Sequence, residues 1–254
     1  MNLRAPNIPW LQPGSAFPPA SSALGDESAW PGLLAAGGDL TVATLTRAYG
    51  AAVFPWFSDG QPILWWSTDP RMVLQVDAFR LHRSLRKTLL TFIQTSACEI
   101  RIDSAFAQVI THCAQRPGAA NGGTWIVADM VTAYTALHRA GLAHSVETWV
   151  KGELVGGLYC VALGKAVFGE SMFSRATDAS KIALAALVAL CRQQGITMID
   201  CQQNTAHLAS LGATPIPREQ FVKHVALAQL QEPTNWHFDA LYWNQLFPTR
   251  SDSP

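Results

Sequence analysis

The sequence predicts an α+β fold in which a mixed sheet is packed by helices. Hydrophobic residues make up 49% of the 254 residues and charged residues 14%, a composition that supports a sizeable core. In the second half of the chain, the expected elements follow the order strand, strand, strand, helix, strand. This order joins an antiparallel meander to a further strand through a helix, which favours a mixed sheet covered by helices.

The N-terminal part of the chain has a different character from the rest. Prolines interrupt residues 1–30, so this stretch is predicted to run extended over the surface. A short helix follows, with Thr41 or Thr44 as its N-cap. Residues 54–66 are rich in aromatic side chains and contain prolines, which predicts short strands and loops. We therefore expect a small N-terminal domain, residues 1–69, and a main domain, residues 70–254.

The main domain contains apolar patterns of both periods. A 3.6-residue period predicts helices, and alternation between glycine-containing turns predicts strands. Gly195 is expected to end the last predicted helix, whose N-cap would be Asp178 or Ser180. The predicted helices are residues 80–94, 129–140 and 178–194, and the predicted strands are residues 144–150, 154–163, 166–173 and 196–202.

Charge, cysteine and hydropathy patterns narrow the class of protein. Basic and acidic residues both number 18, so any RNA contact must come from a local basic patch. The five cysteines form no CxxC pair and the histidines show no ligand spacing, so we expect reduced thiols and no metal. The longest apolar run, residues 182–191, is too short to span a bilayer and no signal peptide is evident. The expected location is the cytoplasm.

A carboxylate within a predicted strand is the first candidate for chemistry. Strand alternation would place Phe168, Glu170 and Met172 on one face. A carboxylate among apolar neighbours needs a partner to stay ionised, and a substrate amine or basic side chain would serve. The alternative is a partly exposed Glu170 at a strand end, paired with Arg175 or Lys181.

A second polar group lies at the end of the next strand. Alternation would direct Asp200 and Gln202 to one side and Cys201 to the other. Asp200 could accept a hydrogen bond from the Gln202 amide and so orient its oxygen towards an attacking amine. Alternatively, both residues satisfy backbone groups of the following loop. A cysteine nucleophile at Cys201 with His207 is disfavoured, because the strand is predicted to direct the thiol away and the two residues lie six positions apart.

Several residues could form a binding pocket. Apolar side chains of the meander and of the last helix could line it or could form ordinary core: Leu158, Met172, Leu184, Leu187 and Ile199. Gly156 and Gly157 in mid-strand are expected to mark a bulge or the close approach of a ligand. Trp56 and Trp125 lie in segments flanked by Pro or Gly and could stack on a base. The basic residues Arg80, Arg83, Arg86 and Lys87 could hold phosphates or could be a solvated helix face.

Nine short blocks along residues 28–225 occur in a specific order. They are Phe54-Pro55-Trp56-Phe57, Ile63-Leu64-Trp65-Trp66-Ser67, Gly123-Thr124-Trp125-Ile126, Ala143-His144-Ser145-Val146-Glu147, Gly156-Gly157-Leu158-Tyr159, Phe168-Gly169-Glu170-Ser171-Met172-Phe173-Ser174, Ala179-Ser180-Lys181, Ile199-Asp200-Cys201-Gln202 and Ser210-Leu211-Gly212-Ala213. This series closely resembles the leucyl/phenylalanyl-tRNA–protein transferases of bacteria.

The resemblance implies a fold and an activity. The main domain would have an acetyltransferase-like (GNAT-like) fold and would need no metal or coenzyme. The donors would be Leu-tRNA and Phe-tRNA, and more weakly Met-tRNA. The acceptors would be proteins with N-terminal Arg or Lys, which the added residue would mark for degradation by the N-degron route.

The resemblance also implies roles for individual residues. Asp200 and Gln202 match the proposed catalytic pair of the family, and Glu170 matches its essential acidic residue. Cys160 stands where relatives usually have Gly. The residues expected to bind the aminoacyl-adenosine end are Trp56, Trp125, Tyr134, Leu158, Phe168, Gly169, Met172, Leu184, Leu187 and Ile199, and those expected to contact the tRNA backbone are Arg80, Arg83, Arg86 and Lys87.

Two other functions are compatible with this fold class. An acetyl-CoA-dependent acetyltransferase needs a Gly-rich turn that opens a helix and binds the pyrophosphate. The nearest match, residues 192–197, lacks the final small residue and is predicted to lie at a helix C-terminus. A non-catalytic tRNA-binding module is the other alternative, and it would bind uncharged tRNA without transfer.

Overall fold

The chain builds two sheets flanked by helices, as seen in a computed structural model that describes residues 8–115 and 126–247. The small sheet has the order β1-β2-β4-β3, and its only parallel pair is β1 with β2. Residues 54–66 form two short strands, as predicted, whereas the two strands before them were not predicted. The strands of the small sheet are β1 (Trp10–Leu11), β2 (Leu33–Gly37), β3 (Phe54–Pro55) and β4 (Leu64–Trp66).

The large sheet has seven strands in the order β11-β5-β10-β9-β8-β7-β6. Its strands are β5 (Arg71–Gln75), β6 (Cys98–Ile102), β7 (Ala143–Val150), β8 (Glu153–Leu163), β9 (Ala166–Ser174), β10 (Met198–Gln202) and β11 (Thr214–Ile216). All neighbouring strands pair antiparallel except β9 and β10. A parallel pair needs a long crossover connection, and a helix supplies it here.

Seven helices pack on and around the sheets in the described ranges. They are α1 (Val42–Gly50), α2 (Arg83–Gln94), α3 (Phe106–Ala114), α4 (Ala128–Arg139), α5 (Ala179–Gln194), α6 (Ala206–Ser210) and α7 (Arg218–Ala228). Helix α5 connects β9 to β10. Within the described part of the chain, no helix combines the length and the apolar character needed to cross a bilayer.

The structure confirms the predicted mixed α+β class, the meander and the main helices to within a few residues. The helix predicted from residue 80 begins at Arg83, so Arg80 lies before it and uses its backbone N–H to bond a carbonyl just after α6. The strand predicted from residue 196 begins at Met198, because the Ile196 N–H closes the end of α5 instead. Helix α3 was not predicted from the sequence.

The predicted caps are partly right. Thr41 caps α1 and accepts the Thr44 N–H, and Gly195 ends α5 at φ 69°. Asp178 precedes α5 at φ 60°, but its carboxylate pairs with Lys181 at 2.7 Å and caps no N–H. The Ser180 N–H is instead satisfied by the Ser174 hydroxyl at 3.3 Å.

Apolar side chains form a core on each face of the large sheet. One core continues into the small sheet, so that Leu45 and Tyr49 of α1 share it with Phe168 of β9. The other core is built by α2 and α5, with Leu89 and Leu187 as central members. Strands β9 and β10 are therefore covered on both faces.

Of the two glycines of β8, Gly156 lies against α5 and Gly157 lies against β7. A Cβ at Gly156 would lie 2.4 Å from the Ala179 Cβ in the first turn of that helix. A Cβ at Gly157 would lie 3.0 Å from the Val146 carbonyl oxygen. A β-bulge occurs next to this pair, between Thr148 and Trp149 of β7. The predicted bulge is confirmed, whereas the close neighbour is a helix and not a ligand.

Candidate active site

A cavity of about 830 Å³ opens beside the parallel pair of strands. Strands β9 and β10 are in register at two positions only, Val167 with Ile199 and Phe168 with Asp200. Beyond these positions each strand contains an irregularity, and the two diverge. The space between them is bounded by residues of β3, α3, α5 and α6.

One wall of the cavity is an apolar slot between β8, β9, β10 and α5. The five apolar residues proposed from the sequence all line it, namely Leu158, Met172, Leu184, Leu187 and Ile199. Gly169 also lines the cavity, and a Cβ there would approach the Asp200 carbonyl oxygen to 3.2 Å. Side chains from both a sheet and a helix thus form one dry surface that fits an apolar side chain of a ligand.

The aromatic candidates fall into three groups. Trp56 lines the cavity, is 36% exposed, and packs against the Trp66 ring at 5.4 Å between centroids. Phe168 and Tyr134 are fully buried behind the cavity wall and are not part of its lining. Trp125 lies outside the described residues.

Glu170 sits in a β-bulge of β9. The pairing of Tyr159 with Ser171 and of Cys160 with Gly169 leaves Glu170 without a partner on β8. The bulge reverses the alternation. Phe168 packs in the core next to the small sheet and Met172 packs against the core of α5, with Val167 on the same side as Met172. The predicted common face of Phe168, Glu170 and Met172 is therefore wrong, because the extra residue shifts the side-chain register.

Neutral donors hold the Glu170 carboxylate. Oε1 accepts from the Tyr49 hydroxyl at 2.7 Å and from the Gln202 amide nitrogen at 2.9 Å. The Tyr134 hydroxyl lies 3.2 Å from Oε2 and also contacts the Tyr49 hydroxyl, so the two phenol protons are shared among three contacts. Burial raises the pKa of Glu170 to about 7, although these hydrogen bonds oppose the shift and Asp200 adds to it.

No cation pairs with Glu170 among the described residues. Its two predicted partners are engaged elsewhere: Lys181 with Asp178, and Arg175 with His112 at 3.0 Å. The expectation of a cationic partner inside the protein is wrong. A carboxyl group with a pKa near neutrality and access to a cavity has a charge that a bound cation can stabilise.

Asp200 has the opposite environment. Its two carboxylate oxygens accept from Arg71, Nε at 2.8 Å and Nη2 at 2.6 Å, and both side chains are fully buried. The Arg71 guanidinium lies between the rings of Phe54 and Phe221, 4.7 Å and 4.5 Å from their centroids. A bidentate, stacked arginine fixes both the charge and the orientation of its partner.

Asp200 orients the backbone of Gln202 and not its side chain. Its Oδ1 accepts the Gln202 N–H at 2.9 Å, and Gln202 has a left-handed backbone at φ 56°. The Gln202 side chain reaches across to Glu170 through Nε2. The predicted bond between the Asp200 carboxylate and the Gln202 amide nitrogen is therefore wrong. Because Nε2 is engaged, Oε1 is the atom of this amide that can accept a hydrogen bond from a ligand.

Cys201 lines the same cavity but is chemically unsuited to attack. Burial, with the Asp200 charge second, raises the pKa of its thiol to about 12. The reactive form of a cysteine is the thiolate, which is scarce at neutral pH for such a group. The conclusion against a cysteine nucleophile therefore holds, but for a different reason. The sequence predicted that Cys201 points away from the site, whereas Cys201 lines the cavity.

The basic residues proposed for tRNA contact are all exposed. Arg83, Arg86 and Lys87 lie on α2, and Arg80 lies just before it, so the four do not share one helix face as predicted. The Arg86 guanidinium lies over the Phe247 ring at 5.4 Å. Among the described residues, no cluster of three or more His, Cys, Asp and Glu side chains could hold a metal ion.

Sequence reasoning missed Tyr49, Arg71 and His112. Tyr49 lies in the last turn of α1, and Arg71 opens β5 ahead of three apolar residues. Both contact their partners over more than 100 residues of sequence separation. An arginine directly before an apolar run is the signal that a search for charge partners of Asp200 could have used, and in the structure Arg71 is 0% exposed.

Comparison with known proteins identifies the family to which this chain is similar. A family model for leucyl/phenylalanyl-tRNA protein transferase matches residues 73–226, and one for the N-terminal domain of that family matches residues 38–69. The leucyl/phenylalanyl-tRNA--protein transferase of Albidiferax ferrireducens is 60% identical over 253 residues and covers 100% of both chains. That of a Polaromonas species is 61% identical and covers 94% of each chain.

Solved structures are less similar. The structure of L-PGS from Bacillus licheniformis matches 55% of this chain and 49% of its own, with 15% sequence identity and a TM-score of 0.38. The two close relatives, in contrast, span nearly the whole sequence at 60% and 61% identity, and the main family model alone matches more than half of it. The chain belongs to the leucyl/phenylalanyl-tRNA–protein transferase family.

Proposed function

We propose that this chain transfers leucine or phenylalanine from aminoacyl-tRNA to the α-amino group of acceptor proteins, using the cavity beside β9 and β10. One observation carries the proposal. An apolar slot that fits a leucine or phenylalanine side chain ends beside the Glu170 and Gln202 pair, so a donor in the slot has its ester next to polar groups.

The reaction is aminolysis of an ester. The neutral α-amine of the acceptor attacks the acyl carbon, a C–N bond forms, and the bond to the tRNA 3′ oxygen breaks. The amine loses a proton and the leaving oxygen gains one. Because the ester is already activated, positioning of the two reactants supplies much of the acceleration.

The chain's residues have separate roles in this proposal. Gln202, held by Glu170 through Nε2 and by Asp200 through its backbone, accepts an N–H of the attacking amine at Oε1. Glu170 provides the negative charge that attracts a cationic acceptor. Arg71 and Tyr49 keep the two carboxylates in place.

The acceptor preference follows from the same charge. We propose that acceptors carry N-terminal Arg or Lys, since Glu170 lacks a cation among the described residues and a basic terminal residue brings one. The product, with N-terminal Leu or Phe, would be a signal for degradation in the bacterial cytoplasm.

The donor contacts are proposed in two parts. The apolar slot and Trp56 would hold the aminoacyl-adenosine end, together with Gly169 and with Trp125 from the segment outside the described residues. Tyr134 and Phe168 would act from behind the wall, the former through Glu170. Arg80, Arg83, Arg86 and Lys87 would contact the tRNA backbone through exposed side chains.

We also propose that residues 70–254 form an acetyltransferase-like (GNAT-like) domain and residues 1–69 a smaller one. Support comes from the parallel pair β9 and β10 of the large sheet, which is bridged by α5 and pairs at only two positions beside the cavity. The acetyl-CoA alternative lacks its phosphate site here, because the nearest glycine, Gly195, lies at the C-terminus of α5.

The slot predicts donor choice and gives the test. Leucine, phenylalanine and methionine have a CH₂ at Cβ, whereas isoleucine and valine carry a methyl there that a narrow slot rejects. Met172→Ala should deepen the slot and reduce leucine transfer more than phenylalanine transfer, because the larger ring can still fill the space.

The measurement is transfer of each of these five amino acids from its own tRNA to an Arg-initiated peptide, with radiolabelled donors. Acetyl-CoA and uncharged tRNA in parallel reactions test the two alternative functions. Efficient isoleucine transfer by the unmodified chain, or equal losses of leucine and phenylalanine transfer in Met172→Ala, would contradict the proposed slot.

A further inference from the structure

A cationic pair lies on the rim of the cavity and takes no part in the chemistry proposed above. Arg175 follows β9, His112 is in the last turn of α3, and both line the cavity. The Arg175 Nη2 lies 3.0 Å from the His112 Nδ1. The backbone beneath Arg175 is fixed, because its N–H donates to the Val155 carbonyl at 2.7 Å. The guanidinium is thus presented from a rigid strand end.

The hydrogen bond defines the state of His112. A guanidinium only donates, so the His112 Nδ1 must accept and is unprotonated. The ring proton is therefore on Nε2. Burial lowers the pKa of His112, with the Arg175 charge as the second cause, and the ring packs on Phe173 at 4.8 Å. The pair consequently offers one cation and a neutral N–H donor at the same place.

The Arg175 guanidinium has more N–H donors than it has acceptors among the described residues. Among the described residues, no carboxylate lies within ion-pair distance of Arg175, whereas the buried Arg71 has Asp200. Arginine forks of this kind suit oxyanions such as phosphate and carboxylate. Two serines, Ser174 and Ser180, line the cavity at the same place.

The position of Arg175 indicates which part of a donor it could meet. Arg175 lies five positions beyond Glu170 and just after β9, which corresponds to roughly 16 Å of extended chain at about 3.3 Å per residue. An anion held there is therefore farther from the ester than the amino acid reaches. It belongs to the nucleotide part of the donor, whose only anionic groups are phosphodiesters.

The loop that carries Arg175 also contacts the exposed basic helix. The Thr88 hydroxyl of α2 donates to Asp178 at 3.4 Å, and Asp178 is neutralised by Lys181. Lys87 is the neighbour of Thr88 on the same helix, and Arg83 lies about one and a half turns before it. The segment from Arg175 to Asp178 thus joins the rim of the cavity to α2.

We infer that Arg175, with the Nε2–H of His112, forms a phosphate subsite that holds a backbone phosphodiester of the RNA 3′ end at the rim of the cavity. The inference rests on the proposed function, since it assigns the site to the same donor. Its role is affinity for the donor, so its loss raises KM and leaves kcat nearly unchanged.

Three donors of increasing length test the subsite. They are 3′-O-leucyl-adenosine, which has no phosphodiester, the leucyl ester of the dinucleotide CpA, which has one, and Leu-tRNA. Arg175→Ala should raise KM about tenfold for the two donors that contain a phosphodiester, since charge-assisted hydrogen bonds are lost. KM for leucyl-adenosine should change by less than about twofold. His112→Ala should show the same selectivity with a smaller rise.

The control is Arg139→Ala, an exposed arginine at the end of α4 that does not line the cavity. It should leave all three KM values unchanged. Equal losses for all three donors in Arg175→Ala, or no loss for any, would overturn the subsite while the proposed function stands. Absence of transfer from every donor by the unmodified chain would instead overturn the proposed function and the subsite with it.

Discussion

Strands β9 and β10 each place an acidic residue on one cavity, and the two residues are stabilised in opposite ways. Asp200 is paired with a fully buried arginine and is neutral as a unit. Glu170 is held by two tyrosines and a glutamine, all uncharged. Adjacent parallel strands thus provide one compensated and one uncompensated carboxylate.

The two carboxylates therefore have different roles: Asp200 stabilises the fold, and Glu170 is available to interact with a ligand. A carboxylate that is paired with a cation inside the protein interacts little with a ligand. Removing that cation leaves a buried, unpaired negative charge. A carboxylate held by neutral donors keeps a pKa near neutrality, which lets a cationic ligand shift it. We therefore expect changes around Asp200 to act on stability and changes around Glu170 to act on the reaction.

Removal of the compensating charge should have the largest effect. Arg71→Met leaves Asp200 buried without its partner and should lower the free energy of unfolding by about 3–5 kcal/mol. Urea denaturation measures this. The matched control is Arg218→Met, whose partner Asp69 is half exposed and which should lose far less. A variant at position 71 as stable as the unmodified chain would show that the pair is not what holds Asp200.

A variant at Gln202, which bonds Glu170, tests whether changes around Glu170 act on the reaction. Gln202→Ala removes the amide that is fixed by Glu170 and should lower the transfer rate about a hundredfold, or 2–3 kcal/mol, with little change in tRNA affinity. Single-turnover transfer and filter binding separate the two quantities. A rate within about twofold of the unmodified chain would remove Gln202 from the mechanism.

The raised pKa of Glu170 predicts a pH dependence of stability. Its folded pKa of about 7 exceeds the ordinary value of 4.5, so the folded state binds the proton more tightly than the unfolded state. The stabilisation is complete below about pH 4.5 and is lost as the pH rises through 7.

Glu170→Gln should lack this loss. The stability difference between the two proteins should change by on the order of 1–2 kcal/mol between pH 4.5 and 8, because the side chain keeps some contact with cavity water. Denaturation at a series of pH values gives the result. Parallel curves for the two proteins would mean that Glu170 titrates normally.

The smallest effect is expected at the residue between Asp200 and Gln202. Cys201→Ser should transfer leucine within about twofold of the unmodified chain, because a thiol with a pKa of about 12 is neutral at working pH. Alkylation at pH 8 should spare Cys201 in the folded protein and modify it after denaturation. Full loss of transfer in a folded serine variant would revive covalent catalysis.

The sequence predicted the regular elements well, for physical reasons. The meander β7 to β9 is bounded by glycine-containing turns, and α5 is ended by Gly195, so local chemistry defines them. The slot residues were found because Leu184 and Leu187 lie at helical spacing on a regular helix, facing regular strands. The hydrophobic periodicity of the sequence therefore indicates which residues can line the slot.

The arrangement of Glu170, Asp200 and Gln202 could not be predicted from the same rules. Strand alternation fails at Glu170 and again between Asp200 and Gln202, because each strand has an irregularity there. Such bulges arise from how strands fit their neighbours, and the local sequence does not mark them. The arginine that holds Asp200 is 129 residues away, a separation that no spacing rule connects.

The missing side chain at Gly156 has a consequence for protein engineering. With a Cβ only 2.4 Å from that of Ala179, any larger residue at position 156 must displace the first turn of α5 from the sheet. Leu184 lies little more than one turn further along that helix and faces Leu158 across the slot. The contact between positions 156 and 179 therefore acts as a spacer for the slot. Designs that aim to load bulkier, non-natural amino acids onto protein termini should vary these two small residues before they alter the slot lining itself.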